Sequence, residues 1–290
     1  MRKDFFDVPR TYYTTSYAKT QVPMFFYKVA LRVINYFVEY DRVLPVLEGT
    51  GLLPVRFFNG KAVASLTFFN YQQVTVGAYD EVVVAAIVYP EALGPPSMPF
   101  PKLLFAKKEK WWKNMGMYVI EMPVTIPGAR AAGREIWGFP KFLTQIPHRL
   151  SGDHFEFGVV DPDTEEPIVA VKGEIGAGFS AKAFDLVSFT NYDDTIFRVV
   201  TEVDGKIKNS TCKRIEVKVG PTRHRMAENI RALGLHTAKP LVVMSSDYVQ
   251  TRLNPGKPVA DWKSPALPYQ YEEEVEFYRK QKEILGERSS

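Results

Sequence analysis

A single cysteine, Cys212, stands among 290 residues, so no internal disulfide is possible. That scarcity fits a reducing compartment, and a cytoplasmic location is the expectation. Histidine is almost as rare, at four. The two closest, His148 and His154, have no cysteine pair near them to complete a structural zinc site. Long apolar runs are also missing. The nearest approach, Pro23 to Tyr40, is interrupted by Lys28, Arg32 and Glu39, which argues against a membrane partner. The opening residues MRKDFFDVPRTYYTTSYAK lack the apolar core of a secretory signal, so no signal peptide is expected. Neither standard Gly-rich phosphate loop occurs, and no cofactor is expected. Charge of one sign does not dominate: 37 basic and 33 acidic residues leave +4. The basic clusters Lys107-Lys108-Glu109-Lys110 and Arg223-His224-Arg225 read as solvated faces, so no nucleic-acid partner is expected.

What is abundant points to strands. Aromatics make up 13% of the chain and prolines number 21, a combination that favours a β-rich fold with many loops over a helical bundle. A chain of this length buries roughly three quarters of its unfolded surface and needs no covalent staple.

Residues 1–22 are polar and aromatic without periodicity and read as an N-terminal arm. Residues 23–253 form the main domain, and residues 254–290 read as a proline-rich linker followed by a charged helix over Glu272 to Leu285. Within the domain, Tyr27 to Val38 has the period-two pattern of a strand. Asp41 to Glu48 reads as a short helix ended by Gly49. Val63 to Val76 and Glu81 to Tyr89 are apolar, β-branched runs on either side of Gly77-Ala78-Tyr79-Asp80, as in paired strands. Pro90 to Pro101 is a proline-rich loop, and Met117 to Val124 a further strand. Phe155–Val160 and Ile168–Val171 flank an Asp161-Pro162-Asp163 turn. Ile196–Val203 and Cys212–Val219 flank Asp204-Gly205 in the same way. Arg223 to Leu233 is the clearest amphipathic helix, with Gly234 as its stop. Segments between strands look too short for crossover helices, so an antiparallel sheet closed into a barrel or sandwich is expected.

The sharpest local feature is Gly133-Arg134-Glu135-Ile136-Trp137-Gly138-Phe139-Pro140-Lys141. It reads as a rigid turn that presents a lysine beside aromatic surface, because Pro140 fixes its own φ and holds Phe139 extended. A lysine that attacks a carbonyl must be neutral. Burial in apolar surroundings disfavours the ammonium form, and a neighbouring cation does the same. By itself the nonapeptide favours the plainer reading, a surface lysine after a turn.

Several motifs in order change that balance. The pattern Gly-Arg-Glu-x-x-Gly-Phe-Pro-Lys resembles the signature around the Schiff-base lysine of the acetoacetate decarboxylase family. Gly220-Pro221-Thr222-Arg223 before a helix is a second match, and Lys239-Pro240-Leu241-Val242-Val243-Met244-Ser245-Ser246 a third. Tyr79-Asp80-Glu81, Asn191-Tyr192 and Asp204-Gly205 fall in the family's order, and the matches run from about residue 25 to 255. The resemblance implies an α+β fold on a cone-shaped antiparallel β-barrel with a few packed helices. It implies Lys141 as the imine-forming amine in a closed apolar interior, Glu81 as a general acid or base, and assembly into a homo-oligomer. The substrates it implies are a keto acid or an aldehyde.

The chain departs from the family at three places. Phe142 stands where a second lysine is expected, which leaves burial to tune Lys141; if Lys141 begins a strand, residue 142 points to the opposite face. Met24-Phe25-Phe26-Tyr27 holds no arginine where the family's decarboxylase has one. Thr67 occupies the region of a second pocket glutamate. Phe26, Thr67, Met122, Trp137, Phe139 and Phe142 are therefore the expected substrate-lining residues, suited to a larger or more apolar substrate than acetoacetate. Arg134 and Glu135 read as structural residues of the turn, and a partner for a buried arginine is the plain alternative for Glu81. The function expected is a lyase, of decarboxylase or aldolase–dehydratase type. A non-catalytic binding barrel, and a hydratase or lactone-forming enzyme without an imine, are the alternatives.

Overall fold

The run Val82-Val83-Val84-Ala85-Ala86-Ile87-Val88 is apolar at successive positions rather than alternating, the pattern of a strand covered on both faces. In the computed structural model, which describes residues 2–96, 114–192 and 195–263, both faces are covered. Val82, Val84, Ala86 and Val88 enter one apolar cluster, while Val83 and Ala85 enter another on the opposite side.

The strands in chain order are β1 (Thr11–Thr14), β2 (Lys19–Val22), β3 (Met24–Val38), β4 (Leu52–Pro54), β5 (Ala62–Val74), β6 (Tyr79–Pro90), β7 (Gly116–Val124), β8 (Lys141–Leu143), β9 (His148–Ser151), β10 (His154–Val160), β11 (Pro167–Lys182), β12 (Leu186–Tyr192), β13 (Thr195–Val219), β14 (Pro240–Leu253) and β15 (Lys257–Lys263). The helices are α1 (Tyr40–Val43), α2 (Pro127–Trp137) and α3 (Arg225–Leu233). β1 and β2 form a separate hairpin. The main sheet runs β12-β7-β6-β5-β3-β14-β13-β11-β10-β9. It closes on itself because β12 pairs with β7 on one side and β13 on the other. The ring β7-β6-β5-β3-β14-β13-β12 is thus the barrel, and β9 to β11 continue from the far half of β13. Helix α3 packs on the first cluster through Met226, Ala227, Ile230 and Leu233, and α2 on the second through Ala129, Ala132 and Trp137.

Several local expectations change. The sheet is mixed: β7 pairs in parallel with both β8 and β12. The β7–α2–β8 unit is a crossover whose helix the sequence disguises with Gly128 and Gly133, while Pro127 sits at the helix start where its missing N–H costs nothing. Arg134 and Glu135 therefore lie on a helix, not on a turn. The expected Asp204-Gly205 hairpin is absent. β13 runs unbroken for 25 residues, and Gly205, at φ 144°, marks a slip of register against β14, so turn-type residues here serve a bulge. The helix expected over Asp41 to Glu48 breaks into α1 and a 3-10 turn over Pro45–Leu47, since Pro45 supplies no N–H. The segment after residue 253 begins as β15, paired with β13. The Lys107–Lys110 cluster, the loop beyond residue 96 and the helix over Glu272 to Leu285 lie outside the described residues. No helix among the described residues is long and apolar enough to cross a membrane.

Where β13 leaves the sheet, Gly220 passes so close to β11 that an added Cβ would lie 1.6 Å from the Pro167 carbonyl oxygen. The clash is with backbone, which has nowhere to go. Gly220→Ala is expected to lose at least about 2 kcal/mol of stability, read as a lower urea midpoint with unchanged slope. A loss below about 0.5 kcal/mol, the usual scatter of neutral surface changes, would contradict this packing.

Candidate active site

The residues before Lys141 build its position. Helix α2 ends at Gly138, whose φ of 69° is left-handed and whose N–H caps the carbonyls of Arg134 and Gly133. Phe139 N–H then returns to the Gly133 carbonyl at 3.0 Å, and Pro140 prevents any further helical turn. β8 starts at once with Lys141, opposite Met122 of β7. Gly133 leaves a bare patch on α2 over which the lysine stem runs; a Cβ there would fall 2.4 Å from Cδ and 2.5 Å from Cε of Lys141. Arg134 Nη1 donates to the carbonyl of Lys141 at 3.3 Å, tying the helix to the lysine backbone.

Glu81 arrives from the other direction. It sits on β6 opposite Val124 of β7 and Phe69 of β5. Lys141, one strand beyond β7, reaches across that strand and donates from Nζ to Glu81 Oε2 at 2.7 Å. The two residues are only 6% and 3% exposed, so the ion pair is screened from bulk water. Tyr71, diagonal to Glu81 on β5, donates its hydroxyl to the other carboxylate oxygen at 3.1 Å. The ring of Tyr79, directly across from Tyr71, lies 5.3 Å from Nζ, within reach of a cation–π contact. Burial, and after it the charge of Glu81, holds both phenols well above their ordinary values.

The buried cluster around this pair contains most of the residues expected to line the site. Phe26 packs against Tyr71 at 4.8 Å between ring centroids. Met122, Phe139 and Trp137 are buried in the same cluster, and the Trp137 indole N–H is anchored on the Asn254 carbonyl at 2.9 Å. Thr67 is buried on β5 opposite Val83, on the face that carries Glu81. Phe142 is elsewhere. Its ring belongs to the opposite cluster and packs on His224 at 4.8 Å, so it does not join the residues around Lys141. Residue 142 is thereby turned away from Nζ, as strand parity requires. Glu135 grips Ser16, accepting from its N–H at 2.7 Å and its hydroxyl at 2.5 Å, and so ties the arm to the outer face of α2.

Sequence reasoning missed Tyr71, Tyr79 as a ring over the amine, and Gly133 as the bare patch under the stem. It also missed Glu121, fully buried on the other face of β7, where Arg225 donates to both its oxygens at 2.7 and 3.0 Å and Asn229 adds a third bond at 2.7 Å. Among the described residues no three His, Cys, Asp or Glu side chains are grouped to hold a metal.

Two outcomes follow from the buried pair. Lys141→Met leaves a buried carboxylate without its cation and is expected to cost about 3–5 kcal/mol, whereas Lys141→Met combined with Glu81→Gln recovers much of it. Urea midpoints for the two proteins check this, and equal losses would argue against a close pair. Tyr71 and Tyr79 have folded-state values above their unfolded ones, so stability is intact below about pH 10 and falls as pH rises beyond it. Denaturation at pH 8 and pH 11 measures the drop, which Tyr71→Phe should shrink.

The acetoacetate decarboxylase (ADC) family model matches residues 9–252. No curated protein matches the sequence significantly. Among solved structures, an acetoacetate decarboxylase from Legionella pneumophila superposes with a TM-score of 0.57 at 16% identity, covering 89% of this chain and 94% of that one. An acetoacetate decarboxylase-like enzyme from Sphingomonas wittichii gives 0.55 at 10% identity, over 81% and 92%. The enduracididine biosynthesis enzyme MppR, complexed with the condensation product of pyruvate and imidazole 4-carboxaldehyde, gives 0.54 at 12% identity, over 83% and 90%. These likenesses are of fold. With the family pattern spanning most of its length, the chain belongs to the acetoacetate decarboxylase family.

Proposed function

We propose that the protein is a Schiff-base lyase acting on a keto acid, with Lys141 as the amine and Glu81 as its proton partner. The observation that carries this reading is the buried 2.7 Å contact between Nζ and Oε2 among aromatic side chains. For Lys141 to attack, its ammonium must shed a proton, and the carboxylate oxygen at hydrogen-bond distance receives it. The nitrogen lone pair then adds to the keto carbon. The carbonyl oxygen takes up protons and leaves as water, forming a protonated imine. That imine draws the electron pair of the neighbouring carbon–carbon bond when carbon dioxide departs, or of a carbon–hydrogen bond when Glu81 removes the proton. Either route gives an enamine. Protonation of the enamine completes a decarboxylation, whereas attack on an aldehyde carbon begins an aldol reaction; hydrolysis of the imine frees Lys141.

Two considerations favour a substrate other than acetoacetate. The stretch Met24-Phe25-Phe26-Tyr27 holds no arginine where the resemblance to the family's decarboxylase implies one, and Thr67 lies in the region of its second glutamate. The MppR complexes hold pyruvate or its condensation product with an aldehyde. Assembly into a homo-oligomer in the cytoplasm belongs to the same proposal. A second reading, a barrel that binds a carbonyl compound without turning it over, draws on the amine being tied in an ion pair in the free protein.

Borohydride reduction after incubation with pyruvate and a panel of β-keto acids tests the proposal. The expected result is a mass increment on Lys141 that disappears in Lys141→Ala. Absence of any adduct overturns it, and an adduct that survives in Lys141→Ala moves the chemistry to another lysine. Trapping without release of carbon dioxide or consumption of aldehyde favours the binding barrel.

A further inference from the structure

Glu81 has two oxygens, and Lys141 engages only one of them. We propose that Tyr71 is the positioning residue of the site: its hydroxyl holds Oε1 and leaves Oε2 as the single acceptor for the Lys141 proton. The inference rests on Lys141 being the reacting amine.

Register and packing aim this hydroxyl. Tyr71 pairs with Tyr79, and Phe69 with Glu81, so Tyr71 and Glu81 are diagonal neighbours on one face. An aromatic side chain spans that diagonal. The Tyr71 ring is then clamped on three sides: Phe26 at 4.8 Å, Tyr79 at 4.6 Å, and Phe69 stacked at 5.3 Å with 7° between planes. A ring so enclosed has little rotamer freedom, which is the condition for a preorganised donor. Because burial keeps the phenol protonated, it serves the carboxylate as a donor throughout the ordinary pH range. Without that bond the carboxylate is free to rotate about its terminal torsion, which is soft for glutamate, and to present either oxygen or neither to Nζ.

The test is labelling of Lys141 by acetic anhydride, mapped by mass over pH 6–10, for the wild type, Tyr71→Phe, Glu81→Gln and the double variant. Borohydride trapping with pyruvate runs in parallel. Tyr71→Phe keeps the clamped ring and is expected to slow labelling about tenfold, the rate equivalent of one hydrogen bond, with a displaced pH profile and an unchanged final extent. The double variant should be no slower than Glu81→Gln alone, because the tyrosine acts only through the carboxylate. Wild-type labelling by Tyr71→Phe at every pH overturns the proposal, as do independent, multiplying effects in the double variant. Should Tyr71→Phe fold poorly, 3-fluorotyrosine at position 71 preserves ring and hydroxyl. Its pH profile should shift, and an identical profile overturns the role. If the wild type labels as expected but traps no keto acid, the Schiff-base reading falls while the positioning of Glu81 stands.

Discussion

A lysine and a glutamate held 2.7 Å apart among buried apolar and aromatic side chains set the terms for everything around them. Taking two charges out of water costs several kcal/mol each, and their attraction offsets this only when geometry is close and the remaining polar atoms are satisfied. The surroundings meet that condition from three directions. Below, Gly133 removes the side chain that would block the lysine stem, and Arg134 fixes the lysine carbonyl. Beside the pair, Tyr71 takes the second carboxylate oxygen. Above, the Tyr79 ring offers its electron-rich face to the ammonium. A loosely held pair in such a place would let water in or let one partner neutralise. The helix end, the bare glycine and the strand register are therefore parts of one arrangement.

Much of the scaffold was legible because it is written in local pattern. The continuous apolar runs of β5 and β6, the β10–β11 hairpin around Asp161-Pro162-Asp163, and α3 with Gly234 behind it each carry their own signal within a dozen residues. The site itself was legible only through resemblance. Lys141 and Glu81 are 60 residues apart, and nothing in periodicity says that two strands will bring them into contact. Tyr71 stayed hidden for a related reason: it looks like any strand aromatic until the β5–β6 register places it diagonal to Glu81. Helix α2 was masked by glycines and a proline that normally signal loops. Gly133 lies against the Lys141 stem, where a side chain would collide with it, and Gly128 packs closely on the Tyr17 ring. Phe142 shows the opposite lesson. Strand parity from Lys141 already pointed it away from the amine, yet its neighbourhood in sequence grouped it with the lining; in the fold it packs on His224 instead.

At 10–16% identity, the solved relatives share architecture and little else that can be carried across. The buried cluster brings together an amine, a carboxylate and two phenols. Phe26, Met122 and Phe139 pack in the same cluster.

The pairing of β3 with β14 has a consequence for how the protein comes into being. Arg32 on β3 donates to the Ser246 carbonyl, 214 residues further along the chain. The ring cannot close until β14 has been synthesised and has found β3. Until then the edge of β3 that pairs with β14 stands open. Folds dominated by such distant pairings form slowly, in milliseconds to seconds rather than microseconds, and their unpaired edges are prone to stick to one another meanwhile. Biosynthesis of this barrel thus includes an interval of exposure that the stability of the finished fold does not shorten.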